Sequence, residues 1–293
     1  MQPDGEQLGL SAQSKTFCPE RTAIAVTTKG PIEYRLEGSG PMVVVLNGGH
    51  CSRDSRLSHE RLADCGFRVL TPSRPGYDAT PSDVGRTAQE AADAIAVLLQ
   101  ELGIDRASVI GISAAGPTAL AFAARHPDRT HRLVLESAVT LPWEVHAKRR
   151  GRRMFGVARR LTWGATKLAL RLFPLWTIRL MMRELTTLDV AEVLARMSPA
   201  DLDFVRRMIA ASRPSEGFLN DLEHRVDDLS GIRCPVLVMY SPHDKPVPPA
   251  NAEWVRREVP TAELRAVPAD SHLIWIGRSA DEVWNERLAF LTP

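Results

Sequence analysis

Short apolar runs separated by amphipathic helical segments constrain this chain most. "MVVVL" (42–46) and "ASVIG" (107–111) show almost no polar alternation. A strand with one face in water alternates polar and apolar residues. A strand that does not alternate is buried on both faces, as in the middle of a parallel sheet. "FRVLTPS" (67–73), "HRLVLES" (131–137), "PVLVMYS" (235–241) and "AELRAVP" (262–268) read as further strands. Helical patterns fall between them, over 56–65, 87–104, 115–126 and 280–291. The strongest is "TAQEAADAIAVLLQELGI" (87–104), with Ala91, Ala94, Ile95, Leu98, Leu99 and Leu102 on one stripe. Thr87 and Glu90 form a capping box at its start and Gly103 ends it. "TAIAVTT" (22–28) and "IEYRLEG" (32–38), joined through Lys29-Gly30-Pro31, predict an antiparallel pair at one edge. The alternation predicts an α/β fold, a mostly parallel central sheet flanked by helices.

Residues 141–225 break the pattern, being helix-rich and lying between two core strands. They predict a helical cap inserted into a core of 21–140 and 226–293, above the strand ends where open α/β sheets bind ligands. Residues 1–20 are polar, with neither a basic head nor an apolar stretch, and predict a loose arm rather than a signal peptide. No apolar run is long enough to cross a membrane. Four scattered cysteines without a CxxC pair predict reduced thiols, no metal site and a cytoplasmic protein. A net charge of +2 gives no reason to expect nucleic acid as a partner.

"SVIGISAAGPTAL" (108–120) places one hydroxyl between a strand and a helix. Small residues before and after Ser113 let the two backbones pass closely, the logic of a G-x-S-x-G turn that exposes a nucleophile. Here Gly111, Ser113 and Ala115-Gly116 fill the pattern, with alanine at the usual second glycine. The helix start favours negative charge beside Ser113, and the N–H of Ala114 is a natural oxyanion donor. A serine hydroxyl needs a base, and the base an orienting acid. The loop "YSPHDKPVPP" supplies Asp244 and "VPADSHLIW" supplies His272, each after a strand and in the order serine, acid, histidine. His243 and Asp270 read as flanking polar residues. Glu136, closing "LVLES", is a rival acid or else a partner for an arginine. "LNGGHC" after the third strand offers Gly49 as the second oxyanion donor, with His50 as runner-up and neighbour of the substrate. Arg74 in "SRPGYDATP" is placed to pair with an acid and brace the loop.

With "NGGH", "RPGYDATP", "GISAAG", "SPHDKPVP" and "SHLIW", the chain resembles the α/β-hydrolase superfamily from about residue 22 to 291. The resemblance implies a Ser113, Asp244, His272 triad and two-step acyl transfer without metal or organic cofactor. Serine at the turn sets the chain apart from relatives that use aspartate there. The expected substrate is a small hydrophobic ester or lactone. Cleavage of a C–C or amide bond by the same triad, or ligand binding without turnover, are the alternatives. Leu273, Ile274 and Trp275 are expected to add to an apolar pocket.

Between Glu144 and Glu184 lie eleven Lys or Arg and no acid, against +2 for the whole chain. Phe155, Ala158, Leu161, Ala165, Leu168 and Leu172 share helical spacing, ending before Pro174. This basic amphipathic segment has two readings: an apolar face turned onto the active site with solvated arginines, which is the favoured one, or a face for an anionic membrane surface. Oligomeric state is not legible.

Overall fold

In the computed structural model, residues 21–145, 148–149, 151–152, 159–213 and 215–292 are described. The expected arm at 1–20, with Cys18, lies outside them, as do Phe155 and Ala158. Eight strands form one sheet: β1 Arg21–Thr27, β2 Gly30–Gly38, β3 Met42–Leu46, β4 Arg68–Pro72, β5 Ala107–Ile112, β6 Thr130–Glu136, β7 Val236–Tyr240 and β8 Glu263–Ala266. Their order is β1-β2-β4-β3-β5-β6-β7-β8. β1 and β2 pair antiparallel and β2 runs antiparallel to β4, while every later pairing is parallel.

Helices cover both faces. They are α1 Arg61–Asp64, α2 Ala88–Glu101, α3 Gly116–Arg125, α4 Arg159–Leu172, α5 Pro174–Leu185, α6 Val190–Arg196, α7 Pro199–Ala211, α8 Gly217–Asp221, α9 Ala250–Glu258 and α10 Ala280–Leu291. The central strand β3 shows why its sequence does not alternate. Val44 and Leu46 pack into one core with α2 and α3, while Val43 and Val45 pack into the other with residues of α5 and α10. The strand is apolar throughout because neither face meets water. In α2, Thr87 Oγ1 accepts the Glu90 N–H at 3.1 Å and the Glu90 carboxylate accepts the Thr87 N–H at 3.1 Å. Gly103 just beyond it has φ +66°, a left-handed turn suited to glycine.

Two expectations need correction. The helix read over 56–65 is a single turn at 61–64, because a chain of tight turns occupies 52–60. α9, between β7 and β8, escaped the periodicity reading; three of its nine residues are buried, too few for a clear stripe. All five helices α4 to α8 fall between β6 and β7, so every interruption of the alternation is spent in one crossover. The C-terminal end of α5 touches the loops after β7 and β8.

Candidate active site

Ser113 follows β5 directly, and its backbone is left-handed with φ +51°. Such a conformation costs a non-glycine residue about 1–3 kcal/mol and persists only when neighbours over-determine it. Here the Ser113 carbonyl accepts the Val139 N–H at 2.9 Å. A Cβ at Gly111 would collide with Ala119 of α3, and one at Gly116 with the Val139 carbonyl oxygen. Ala115, fully buried, fits the second glycine's place. Gly116 beside it is the position where no side chain fits. Pro117 sits in the first turn of α3, where no N–H is needed.

The three side chains expected to converge do so. The Ser113 hydroxyl donates to His272 Nε2 at 3.0 Å, and His272 Nδ1–H donates to Asp244 Oδ2 at 2.7 Å. The other carboxylate oxygen of Asp244 accepts the Val247 N–H at 2.8 Å. Asp244, 1% exposed, lies in the loop after β7, and His272 in the loop after β8. Both loops are pinned from outside. The Leu185 carbonyl at the end of α5 accepts the His272 N–H at 2.8 Å, and Ser137 Oγ donates to the His272 carbonyl at 3.0 Å. Thr186 forms an isolated bridge with Asp244 and donates its hydroxyl to the Asp270 carbonyl at 2.5 Å.

The glycine loop lies against the serine turn. A Cβ on Gly48 would press the Ser113 Cβ at 3.0 Å, and one on Gly49 would collide with the Phe218 ring. Among the described residues no acceptor engages the Gly49 N–H. The loop is fixed by Arg74, whose Nε–H donates to the Asn47 carbonyl at 2.8 Å. The rest of that guanidinium grips Asp221 of α8 at 2.5 and 2.8 Å, and Tyr77 OH donates to the same carboxylate at 2.5 Å. Arg74 therefore pairs with an acid as expected; its partner, 147 residues away, had no local signal. A buried charge is retained at low cost only when paired and fully hydrogen-bonded, and both conditions hold here.

His50, φ +65°, packs on Phe218 at 4.3 Å and Trp163 at 5.8 Å between ring centroids. Burial pushes its pKa down to about 4, with Asp221 and Arg74 acting in opposite directions, so the ring is neutral near pH 7. Phe218, Trp163, Tyr77, Ala114 and Leu222 form a compact apolar cluster beside the glycine loop.

The rival acid does not reach His272. Glu136, fully buried at the end of β6, binds Arg287 at 2.6 and 3.0 Å, His59 Nε2–H at 2.9 Å and the Trp275 indole N–H at 2.5 Å. Arg287 and His59 hold its carboxyl well below the usual carboxylate range. Of its partners only an arginine was foreseen in kind. Leu273 and Trp275, expected to add to an apolar pocket, are 3% and 6% exposed and pack in a buried cluster, Trp275 lying edge-on to His272 and donating its indole N–H to Glu136. Asp270 is tied to Arg196 and Arg278 at the surface. Among the described residues no group of three His, Cys, Asp or Glu side chains is placed to hold a metal ion, and no helix is long and apolar enough to cross a membrane.

The sequence profile of the alpha/beta hydrolase family matches residues 35–286. The chain belongs to that family. It is similar to the uncharacterized hydrolase YcgS of Bacillus subtilis (strain 168), at 32% identity over 270 residues, 89% of this chain and 95% of that one. Among solved structures it is similar to an alpha/beta hydrolase fold protein from Nakamurella multipartita, with TM-score 0.78 and 27% identity over 92% of this chain and 99% of that one. It is also similar to a thermophilic esterase from Thermogutta terrifontis, with TM-score 0.70 and 26% identity over 93% of this chain and all of that one.

Proposed function

We propose that this hydrolase-family protein cleaves carboxylic esters, lactones included, through an acyl-enzyme on Ser113. One observation carries the reading: a single imidazole lies 3.0 Å from the Ser113 hydroxyl and 2.7 Å from a buried carboxylate. In the proposed reaction His272 Nε2 takes the hydroxyl proton as Ser113 Oγ attacks the carbonyl carbon. The imidazolium then protonates the leaving alcohol as the C–O bond breaks. Asp244 fixes the tautomer and stabilises the imidazolium. The N–H groups of Ala114 and Gly49 are assigned to the oxyanion. Water, deprotonated by His272, then releases the acid and restores the serine. Similarity to the Thermogutta esterase supports ester cleavage.

The aromatic cluster around Phe218 and Trp163 supports an apolar acyl or aryl group next to the glycine loop, with neutral His50 as its polar edge. The helices of 141–225 are assigned the role of cap. A fluorophosphonate probe should label the protein at one site, and Ser113→Ala should abolish both labelling and ester turnover, lowering kcat by about 10⁶-fold. Medium-chain p-nitrophenyl esters and lactones should be cleaved faster than amides and small charged esters. Labelling that survives Ser113→Ala overturns the assignment of the nucleophile, and faster amide than ester cleavage overturns the substrate class.

A further inference from the structure

The second half of the basic segment turns only some of its apolar residues inward. In α5, Thr177, Ile178 and Met182 are buried, and the opposite stripe is Leu175, Trp176, Arg179, Leu180 and Arg183. Leu175 is 65% exposed, Trp176 60% and Leu180 48%. α4 continues the same surface. Leu168 and Leu172, expected to face the active site, are 57% and 59% exposed, and Phe173 at the corner between the helices is 63% exposed. Among the described side chains of α4 the buried apolar residues are instead Trp163 and Leu170. Six large apolar side chains thus stand in water on one helical corner. Scattered apolar residues on a surface need no explanation, but a contiguous set of this size marks a contact.

The charges around this corner identify what it contacts. Lys167, Arg171, Arg179 and Arg183 are exposed on the same two helices, and among the described residues none of their side chains is in an ion pair or hydrogen bond. By contrast, Lys148 and Arg152 of the same basic segment both bind Glu223, at 2.7 Å each. Trp176, Leu180 and the two arginines Arg179 and Arg183 frame a surface hollow of about 260 Å³. Cations beside an exposed tryptophan and leucines are the two halves of an interfacial anchor: guanidinium for phosphate, apolar side chains for the acyl boundary. A second copy of the chain fits poorly, because a two-fold contact through this face would set cation against cation. A nucleic acid would meet the arginines and leave the leucines in water.

From these observations we propose that the α4–α5 corner docks on an anionic lipid surface. Leu168, Leu172, Phe173, Leu175, Trp176 and Leu180 enter the headgroup boundary, and the four cations face lipid phosphates. The same α5 ends in the Leu185 carbonyl that accepts the His272 N–H. The docking face and the His272 loop are therefore joined through one helix. The docking face shares no residue with the triad and is testable whether or not Ser113 is the nucleophile.

The test is co-sedimentation of the full-length protein with vesicles of phosphatidylcholine alone, or of phosphatidylcholine with one-third phosphatidylglycerol, at about 0.1 M and about 0.5 M salt. Binding to the anionic vesicles, at least tenfold weaker to the neutral ones and weakened by salt, is the expected result. The double variant Arg179→Glu/Arg183→Glu should bind the anionic vesicles at least tenfold less. Trp176→Ser should lose binding together with the blue shift of tryptophan emission that vesicles induce. Unchanged melting curves certify that these exposed substitutions leave the fold intact. Equal binding to both vesicles, no binding to either, or self-association in solution that Trp176→Ser abolishes overturns the proposal, the last in favour of a second copy.

Discussion

Two buried histidine–carboxylate hydrogen bonds lie near the ends of the last strands, and they differ in what stands beyond each imidazole and carboxylate. His272 meets Asp244 from the loop after β7; His59 meets Glu136 at the end of β6. Both carboxylates are buried and both imidazoles are shielded from water. Beyond the first pair stands a serine hydroxyl. Beyond the second stands Arg287, fully buried and bonded through two nitrogens to the same carboxylate. Asp244 is answered by one backbone N–H and the imidazole, and in the proposed reaction its charge stabilises a positive His272. The charge of Glu136 is already answered by guanidinium and indole. Burial, and after it Arg287, lowers the pKa of His59 and disfavours its charged form. A histidine beside a carboxylate becomes a base for chemistry only when no permanent cation has claimed that carboxylate first.

The largest effect that sharpens this contrast is on rate. Asp244→Asn should leave the fold intact and lower kcat by about 10⁴-fold, because the amide no longer fixes the tautomer or stabilises the imidazolium. Glu136→Gln should do the reverse. Arg287 would be left buried and uncompensated, which costs about 3–5 kcal/mol and lowers Tm by roughly 5–15 °C. Below its melting transition this variant should keep kcat within about tenfold of the parent. Steady-state kinetics beside thermal melts measure both. If Glu136→Gln loses turnover as severely as Asp244→Asn while folded, the two pairs are not distinct and Glu136 takes part in the reaction.

A smaller effect tests why Glu136→Gln destabilises. Removing both charges, with Glu136→Gln and Arg287→Met together, leaves no uncompensated ion. The double variant should therefore be more stable than Glu136→Gln alone by about 1–3 kcal/mol, measured by urea unfolding. A double variant no more stable than the single one would mean that packing around Trp275 and His59, and not charge, is what Glu136 supplies.

What the sequence disclosed follows the reach of each interaction. The elbow is local: Gly111, Ser113 and Gly116 lie within six residues, and the backbone geometry that demands small side chains is written in that stretch. Asp244 and His272 were legible because each follows a strand whose order in the chain restricts where its loop ends up. The Arg74–Asp221 and Glu136–His59–Arg287 clusters were not. Their members are 147, 77 and 151 residues apart, and no spacing rule joins an arginine in a C-terminal helix to a glutamate ending a central strand. Leu273 and Trp275 were only half legible for a related reason. An apolar triplet after a histidine suits a pocket wall as well as a core, and the hydrogen bond that orients Trp275 is accepted by Glu136, 139 residues away. In the helical crossover the pattern gave the helices but not which side faces the protein, because α4 and α5 are apolar on more than one face.

His50 supplies the third term of the comparison, a histidine held by aromatic rings where the other two face carboxylates. Its folded pKa is about 4, against about 6.5 in an unfolded chain. Below pH 6.5 the unfolded state therefore binds more protons than the folded one. The stability due to a neutral His50 is complete above that pH and is lost as pH falls from 6.5 towards 4. At pH 5 the loss comes to about 1–2 kcal/mol, allowing for the partial exposure of the ring. His50→Asn removes the titration while tolerating the left-handed backbone, which asparagine adopts more readily than most residues. Urea unfolding at pH 7 and pH 5 should show the parent losing about 1–2 kcal/mol more than the variant between the two conditions. His59 and His224, whose pKa values burial also lowers, remain in both proteins and cancel in the difference. Equal losses would mean that His50 titrates in the folded protein as it does in the unfolded chain, so that packing against Phe218 and Trp163 does not hold the ring neutral.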